Sequence, residues 1–316
     1  MRYFIFFLVF FFQNSAFSQS ENDKIIFLDS LKAKTNSENY FYKKIIQDYN
    51  IKQSQYKITF FNKKNVLVQQ GYSLDKDVEK YEGILTYYND STGSISAKYT
   101  YLDGLLLGKY EIWYENGNKK EEGEYFKDNF GQNPEQRIDR FLDKNQRSIV
   151  MNGNGYYSND TYNFQLEGNV TNGFKDGIWK GINRIKQYVF KEKHKKGIFK
   201  SGVSIDKTGK KHKYSQLNES GLRSYNFFRI SELLKRKTKY AKDAKLRKVE
   251  RIVYTQIFVN EKGSIIKLEM LQELDYGLEE QIKAILLKHL KFKPNKQRGI
   301  SNNCIYRLPV KIDSQN

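Results

Sequence analysis

A single cysteine, Cys304, stands in 316 residues, so no intramolecular disulfide can form and packing must hold the chain together. Only three prolines occur, which excludes a stiff, extended Pro-rich spacer. Histidine is as scarce. His194 and His212 sit among lysines without metal-ligand spacing, and His289 falls on an apolar helical stripe, where a structural role is expected. Cys304 has no neighbouring His and lies on the inward parity of a strand, the setting of a buried, inert thiol. No phosphate-binding glycine loop is present, since Gly153-Asn154-Gly155 reads as a hairpin turn. No Asp/Glu pair is singled out as an acid–base couple. The expectation is a non-enzymatic protein with no catalytic, cofactor or metal site.

Long apolar runs are missing too. The strongest is Phe4 to Phe12, far short of the roughly 20 residues of a spanning helix, so no stable transmembrane span is expected. One positive charge at Arg2 precedes this run, and small residues at Ala16 and Ser18 follow it. That is the layout of a secretory signal peptide, residues 1–18, cleaved after Ser18. The mature chain is then expected to be exported, periplasmic or envelope-associated. No cysteine follows the run to carry a lipid anchor.

What is abundant is aromatic and basic. Aromatics make up 15% of residues, with 24 tyrosines, a composition that favours sheet. The net charge is +19 and uneven. Gly181 to Lys213 holds eleven Lys/Arg against Glu192 and Asp206, a net of +9. Leu233 to Arg251 holds nine against Asp243 and Glu250, a net of +7. Such stretches attract polyanions through sequence-independent electrostatics. For an exported chain the available polyanions are lipid headgroups, lipopolysaccharide and cell-wall polymers, with no role for nucleic acid.

From about Lys57 to Tyr214 the chain cycles through glycine, aromatics and polar turns. The clearest unit holds Asp103-Gly104, Gly108, Tyr110, Trp113-Tyr114, Asn116-Gly117 and Glu122-Gly123 with Tyr125. A second holds Glu167-Gly168, Asn172-Gly173, Asp176-Gly177, Trp179 and Gly181, and weaker echoes occur at Glu82-Gly83 and Lys196-Gly197. Asn-Gly and Asp-Gly supply the positive φ angles of two-residue hairpin turns, so a meander of short antiparallel strands is expected, with Trp113 and Trp179 as core aromatics. These residues resemble degenerate MORN-type repeats over about 81–202, with the pattern lost between Phe130 and Val150. The resemblance implies a structural or binding surface. Lys24 to Tyr56, before the repeats, reads as helical and then extended.

The last ninety residues follow another plan. Val253, Thr255, Ile257 and Val259 alternate as a half-buried strand, a turn follows at Asn260–Gly263, and Ile266, Leu268 and Met270 alternate in the return. Asp275 is placed to cap a helix whose apolar stripe is Leu278, Ile282, Ile285, Leu286 and His289, ended by Phe292 and Pro294. Ser231 to Lys248 reads as a second helix capped by Ser231. Cys304, Tyr306, Leu308, Val310 and Ile312 share one face of a final strand. The expected domain is α+β: a three-stranded antiparallel sheet with one or two helices. Phe258-Val259-Asn260, Glu261 to Ile265, Phe292-Lys293-Pro294, Gly299 and Tyr306 to Val310 resemble the TonB C-terminal domain family. That resemblance implies binding of a partner envelope protein or extended peptide, linked to outer-membrane transport, by strand addition at a sheet edge. The edge it implies is the last strand, with Tyr306, Arg307, Leu308, Val310 and Lys311 as partner-binding residues. The family's usual start to the first helix is missing, Lys239-Tyr240-Ala241 being a faint echo, and a cleavable leader provides no permanent inner-membrane helix. Binding is therefore expected rather than energy transduction. The expected organisation is 1–18 signal peptide, 19–80 an N-terminal segment, 81–220 hairpin repeats and 221–316 the α+β domain. The alternative is that repeats and basic surface bind an anionic envelope polymer.

Overall fold

The computed structural model describes residues 20–127, 134–222, 224–237, 252–272, 274 and 277–311. The expected signal peptide, the Asp275 cap, Lys239 to Ala241 and Ile312 lie outside them. The described part is mostly strand. Sixteen strands form one sheet in chain order with no crossover. They are β1 (Lys24–Leu28), β2 (Tyr42–Ile46), β3 (Tyr56–Asn62), β4 (Leu67–Ser73), β5 (Tyr81–Tyr88), β6 (Ile95–Leu102), β7 (Leu105–Trp113) and β8 (Lys119–Lys127). The sheet continues through β9 (Pro134–Leu142), β10 (Ser148–Met151), β11 (Asn154–Asp160), β12 (Phe164–Thr171), β13 (Phe174–Asn183), β14 (Tyr188–Lys195), β15 (Ile198–Ile205) and β16 (Lys211–Tyr214).

Local chemistry explains the meander. Asp103-Gly104, Asn152-Gly153, Asn172-Gly173 and Lys196-Gly197 each place two successive residues at positive φ between neighbouring strands, the backbone of the hairpin turn that matches strand twist. Along the strands one face is buried. In β14, Tyr188, Phe190, Glu192 and His194 alternate with exposed Val189, Lys191, Lys193 and Lys195. Glycines on the inner face leave room for rings from the next strand. A Cβ on Gly168 would come within 2.4 Å of the Trp179 ring, and one on Gly202 within 2.2 Å of the Tyr214 ring. Trp179 is 0% exposed, a core aromatic as expected.

Three expectations change here. Lys24 to Tyr56 contributes strands β1 and β2: β-branched Ile25 and Ile26 suit the pleat, and register with β2 and β3 overrides local helix propensity. Where the repeat pattern is lost, the sheet nonetheless continues through β9 and β10, with Ile138, Phe141 and Val150 in the core around Trp179. No glycine stands in β9 or β10, so the glycine–aromatic signature is missing although Phe141 packs on Tyr157. Asp176-Gly177 lies inside β13 rather than at a turn. His289 is exposed, and Leu290 takes the buried place, so the stripe runs Ile282, Leu286, Leu290 at i, i+4, i+8.

The C-terminal unit holds β17 (Asn218–Glu219), α1 (Ser224–Lys237), β18 (Ile252–Val259), β19 (Ile265–Met270), α2 (Leu278–His289), β20 (Asn295–Gln297), β21 (Ile300–Asn302) and β22 (Cys304–Lys311). Ser231 falls inside α1, which begins at Ser224, rather than at a helix start. The three-stranded antiparallel sheet has the order β19-β18-β22. Val253, Ile257, Val259, Met270 and Leu308 pack on Ile230 and Leu234 of α1 and on Ile282 and Leu286 of α2. Half-buried Cys304 joins this core, and burial pushes its thiol pKa up.

The other face of the small sheet meets the long one. Gln256 bonds the Lys32 carbonyl, Glu269 accepts from the Lys34 amide, and Arg307 pairs with Glu79 at 3.2 Å. At the far end, Arg298 of the β20–β21 turn pairs with Glu192 of β14 at 2.7 Å. Held flat, β5 and β14 would lie about 43 Å apart at nine strand spacings. A domain of some ninety residues has a radius of gyration of about 12 Å, so the sheet bends around the unit that touches both ends.

Candidate binding surfaces

Strand β22 pairs with β18 on one side and ends the small sheet. The five residues expected at the binding edge all lie on it, but the structure occupies three of their side chains. The Tyr306 hydroxyl accepts from the Gly221 amide at 2.9 Å, and its ring stacks on Phe292 at 4.8 Å. Arg307 donates to Gln256 at 2.9 Å besides pairing with Glu79. Leu308 is core. Val310 and Lys311 register with Val253 and Ile252 through the backbone. What β22 offers a partner is therefore main chain. Pro309 has no N–H, and its place costs the ladder nothing when that position faces away from β18. Ile305 and Arg307 share its parity, so their amides are the ones turned outward.

Glu79 stands where the two units meet. Burial alone would raise its pKa, but the charges of Lys44, 3.0 Å away, and Arg307 reverse the shift and hold it at about 2.

A second surface is the outer face of β12–β16. Register sets Ile182, Val189, Ile205 and Lys211 in one row across β13–β16, and Lys180, Lys191, Val203 and Lys213 in the next. A third row holds Ile178, Lys193 and Ser201. A groove of about 400 Å³ runs between Ile182, Val189, Val203 and Ile205, bordered by Lys180, Lys191 and Glu167. A second, about 610 Å³, runs past Ile178, Lys193 and Lys213. Among the described residues Lys180, Lys191, Lys193, Lys195, Lys211 and Lys213 make no ion pair. The net of +9 read from sequence is thus sorted by strand parity, a signal visible in the period-two alternation of Tyr188 to Lys195. The outer face of β5–β9 differs. There Arg137 pairs with Glu124 and Asp139, and Lys119 pairs with Glu111 and Glu122.

The inner face carries two buried carboxylates. Glu121 accepts from Tyr110 at 2.7 Å, Tyr157 at 2.9 Å and Gln136 at 3.1 Å. Burial raises its pKa beyond what those bonds lower it. Glu192 contacts His194 at 3.2 Å and accepts from Tyr214 at 3.0 Å and Arg298 at 2.7 Å. Burial would raise its pKa, but the His194 bond and the charges of Arg298 and Lys175 bring it below the ordinary value. Lys175, over the Trp179 ring at 4.6 Å, is pushed by burial down to about 8. His212 bonds Asp206 at 2.7 Å. The two carboxylates are satisfied by neighbours that build the sheet, while His194 Nδ1 is buried without a hydrogen-bond partner among the described residues.

Among the described residues no helix is long and apolar enough to cross a membrane. No family model matches the sequence, and no curated protein matches it. Among solved structures, a DUF5043 family protein from Bacteroides uniformis ATCC 8492 aligns over 51% of this chain and 93% of its own, with a TM-score of 0.24 and 10% identity. A likeness of that size carries no argument about fold or function.

Proposed function

We propose that this chain is an exported, non-enzymatic protein of a bacterial envelope whose C-terminal domain docks an extended segment of a partner protein along β22. The observation that carries the reading is the edge itself: β22 ends its sheet and turns main-chain groups at Ile305 and Arg307 outward, while the side chains of Tyr306, Arg307 and Leu308 are engaged within the molecule. Main-chain hydrogen bonds then supply affinity, and neighbouring side chains such as Ile305, 45% exposed, select the partner. Export rests on the leader-like residues 1–18. The non-enzymatic reading rests on the structural use of Glu79, Glu121 and Glu192.

The test starts from the chain beginning at Gln19, used to capture proteins from envelope extract at moderate salt. A synthetic peptide matching the recovered segment should protect the Ile305 and Arg307 amides from hydrogen exchange. Ile305→Pro removes one outward donor without touching the β18 ladder, and should weaken that peptide at least tenfold. Failure to recover any partner, or a peptide indifferent to Ile305→Pro, would sink the reading.

A further inference from the structure

We infer that the outer face of β12–β16 docks on a membrane surface rich in anionic, phosphate-bearing lipids. The site is separate from the β22 edge and does not depend on it. Three observations meet on this face. First, its lysines are uncompensated. Lys191, Lys193, Lys211 and Lys213 have no carboxylate directly opposite them in register, Glu167 standing opposite Lys180 and Asp176 of β13 accepting from the Lys196 amide. Neighbours on such a grid lie about 5–7 Å apart, inside the Debye length of about 8 Å at physiological salt, so their fields add.

Second, the face is not merely basic. Ile178 is 43% exposed and Val189 44%, and Ile182, Val203 and Ile205 line the groove between them. A hydrophilic polyanion gains nothing from an aliphatic row. A lipid surface gains from both rows, with phosphates against the lysines and acyl carbons against the aliphatics. Third, the hairpin tips beside the face repeat the same chemistry. Ile185 is 70% exposed beside Lys186, Arg184 being paired with Asp160, and Ile198 is 51% exposed beside Lys195 and Lys196. The outer face of β5–β9 carries fewer lysines and sets carboxylates against them, Glu111 opposite Lys98 and Glu124 opposite Lys109, so the two faces differ.

The experiment is co-sedimentation with vesicles, using the chain from Gln19 so that Phe4 to Phe12 cannot contribute. The vesicles are phosphatidylglycerol–phosphatidylcholine mixtures or phosphatidylcholine alone, at low and physiological salt, with soluble polyphosphate as the lipid-free comparison. Binding should appear on the anionic vesicles only and weaken with salt. Each exposed lysine in contact is worth about fivefold, so K191Q/K213Q should fall about 25-fold. I178S/V189S should lose vesicle binding while its affinity for polyphosphate stays unchanged. Circular dichroism checks that both variants keep the sheet. Three results overturn the inference: no binding to anionic vesicles at low salt, no loss with K191Q/K213Q, or vesicle binding that I178S/V189S leaves intact. The last would reassign the face to a soluble polyanion.

Discussion

Strands β5–β9 and β12–β16 each bury one glutamate on the inner face of the same sheet, among aromatic rings that lie over glycines. In the first half Glu121 is satisfied from within the sheet, by two tyrosine hydroxyls and an amide, with no cation in hydrogen-bond contact among the described residues. In the second half Glu192 takes an arginine from the C-terminal unit, and that arginine also lies 4.2 Å over the Phe190 ring. The outer faces diverge in parallel, charge-paired over β5–β9 and uncompensated over β12–β16. One hairpin chemistry therefore yields a half whose buried carboxylate is satisfied within the sheet and a half whose buried carboxylate takes a cation from the C-terminal unit. That cation is Arg298.

The largest test of this comparison is the pair Glu192→Gln and Glu121→Gln. Removing Glu192 leaves Arg298 mostly buried without its counter-charge, and losing one partner of a buried pair costs about 3–5 kcal/mol. Glu121, kept towards its neutral form by burial, is closely matched by glutamine, and the change should cost about 1 kcal/mol or less. Denaturant melts of the two variants decide it: equal losses would break the contrast.

Acid titration sharpens it. Glu79, and Glu192 by its direction, have folded pKa values below the ordinary 4.5, so they add stability above that pH and lose it as pH falls towards their folded values. For Glu79 the window runs from 4.5 to about 2 and is worth about 3 kcal/mol. Glu121 is shifted the other way: its contribution is fullest below 4.5 and declines as pH rises through its raised folded value. Melting temperature against pH should therefore lose part of its acid-side slope in Glu79→Gln. In Glu121→Gln it should lose part of the opposing slope. The reverse assignment would refute both.

Next in size is the feature the halves share. Gly123→Ala and Gly202→Ala should each cost about 1–3 kcal/mol, because a Cβ meets the Arg137 carbonyl at 2.0 Å in one case and the Tyr214 ring in the other. A large loss in one half alone would mean that glycine–aromatic packing is local rather than general.

Much of this was legible before the fold. Paired Asn-Gly and Asp-Gly steps announced hairpins, and the period-two alternation from Tyr188 to Lys195 announced both faces of β14. The stripe of Leu278, Ile282 and Leu286 announced α2. What was hidden depends on distant partners. Nothing local in Lys24 to Leu28 says it will register with β2, and Pro134 to Met151 carries no glycine–aromatic mark because it holds no glycine, Phe141 packing with Ile138 and Val150 instead. The expected edge fell on β22, which ends its sheet as β19 does on the other side. Its side chains proved to be engaged, since the contacts of Tyr306 with Gly221 and of Arg307 with Glu79 join residues 85 and 228 positions apart.

The smallest effects lie outside, where the comparison bears on function rather than stability. Arg137→Gln removes two half-exposed ion pairs and should cost about 0.2–1 kcal/mol, the ordinary worth of such pairs. K191Q/K213Q removes no pair and should leave the melt within about 0.5 kcal/mol of the parent. If those lysines were ordinary surface, both sets of changes would be equally silent in every assay. The asymmetry expected is that Arg137→Gln alters the melt slightly and vesicle binding not at all, while K191Q/K213Q does the reverse. A variant in β14 and β16 that unfolds as the parent does yet no longer sediments with anionic vesicles would separate a surface kept for binding from one kept for folding.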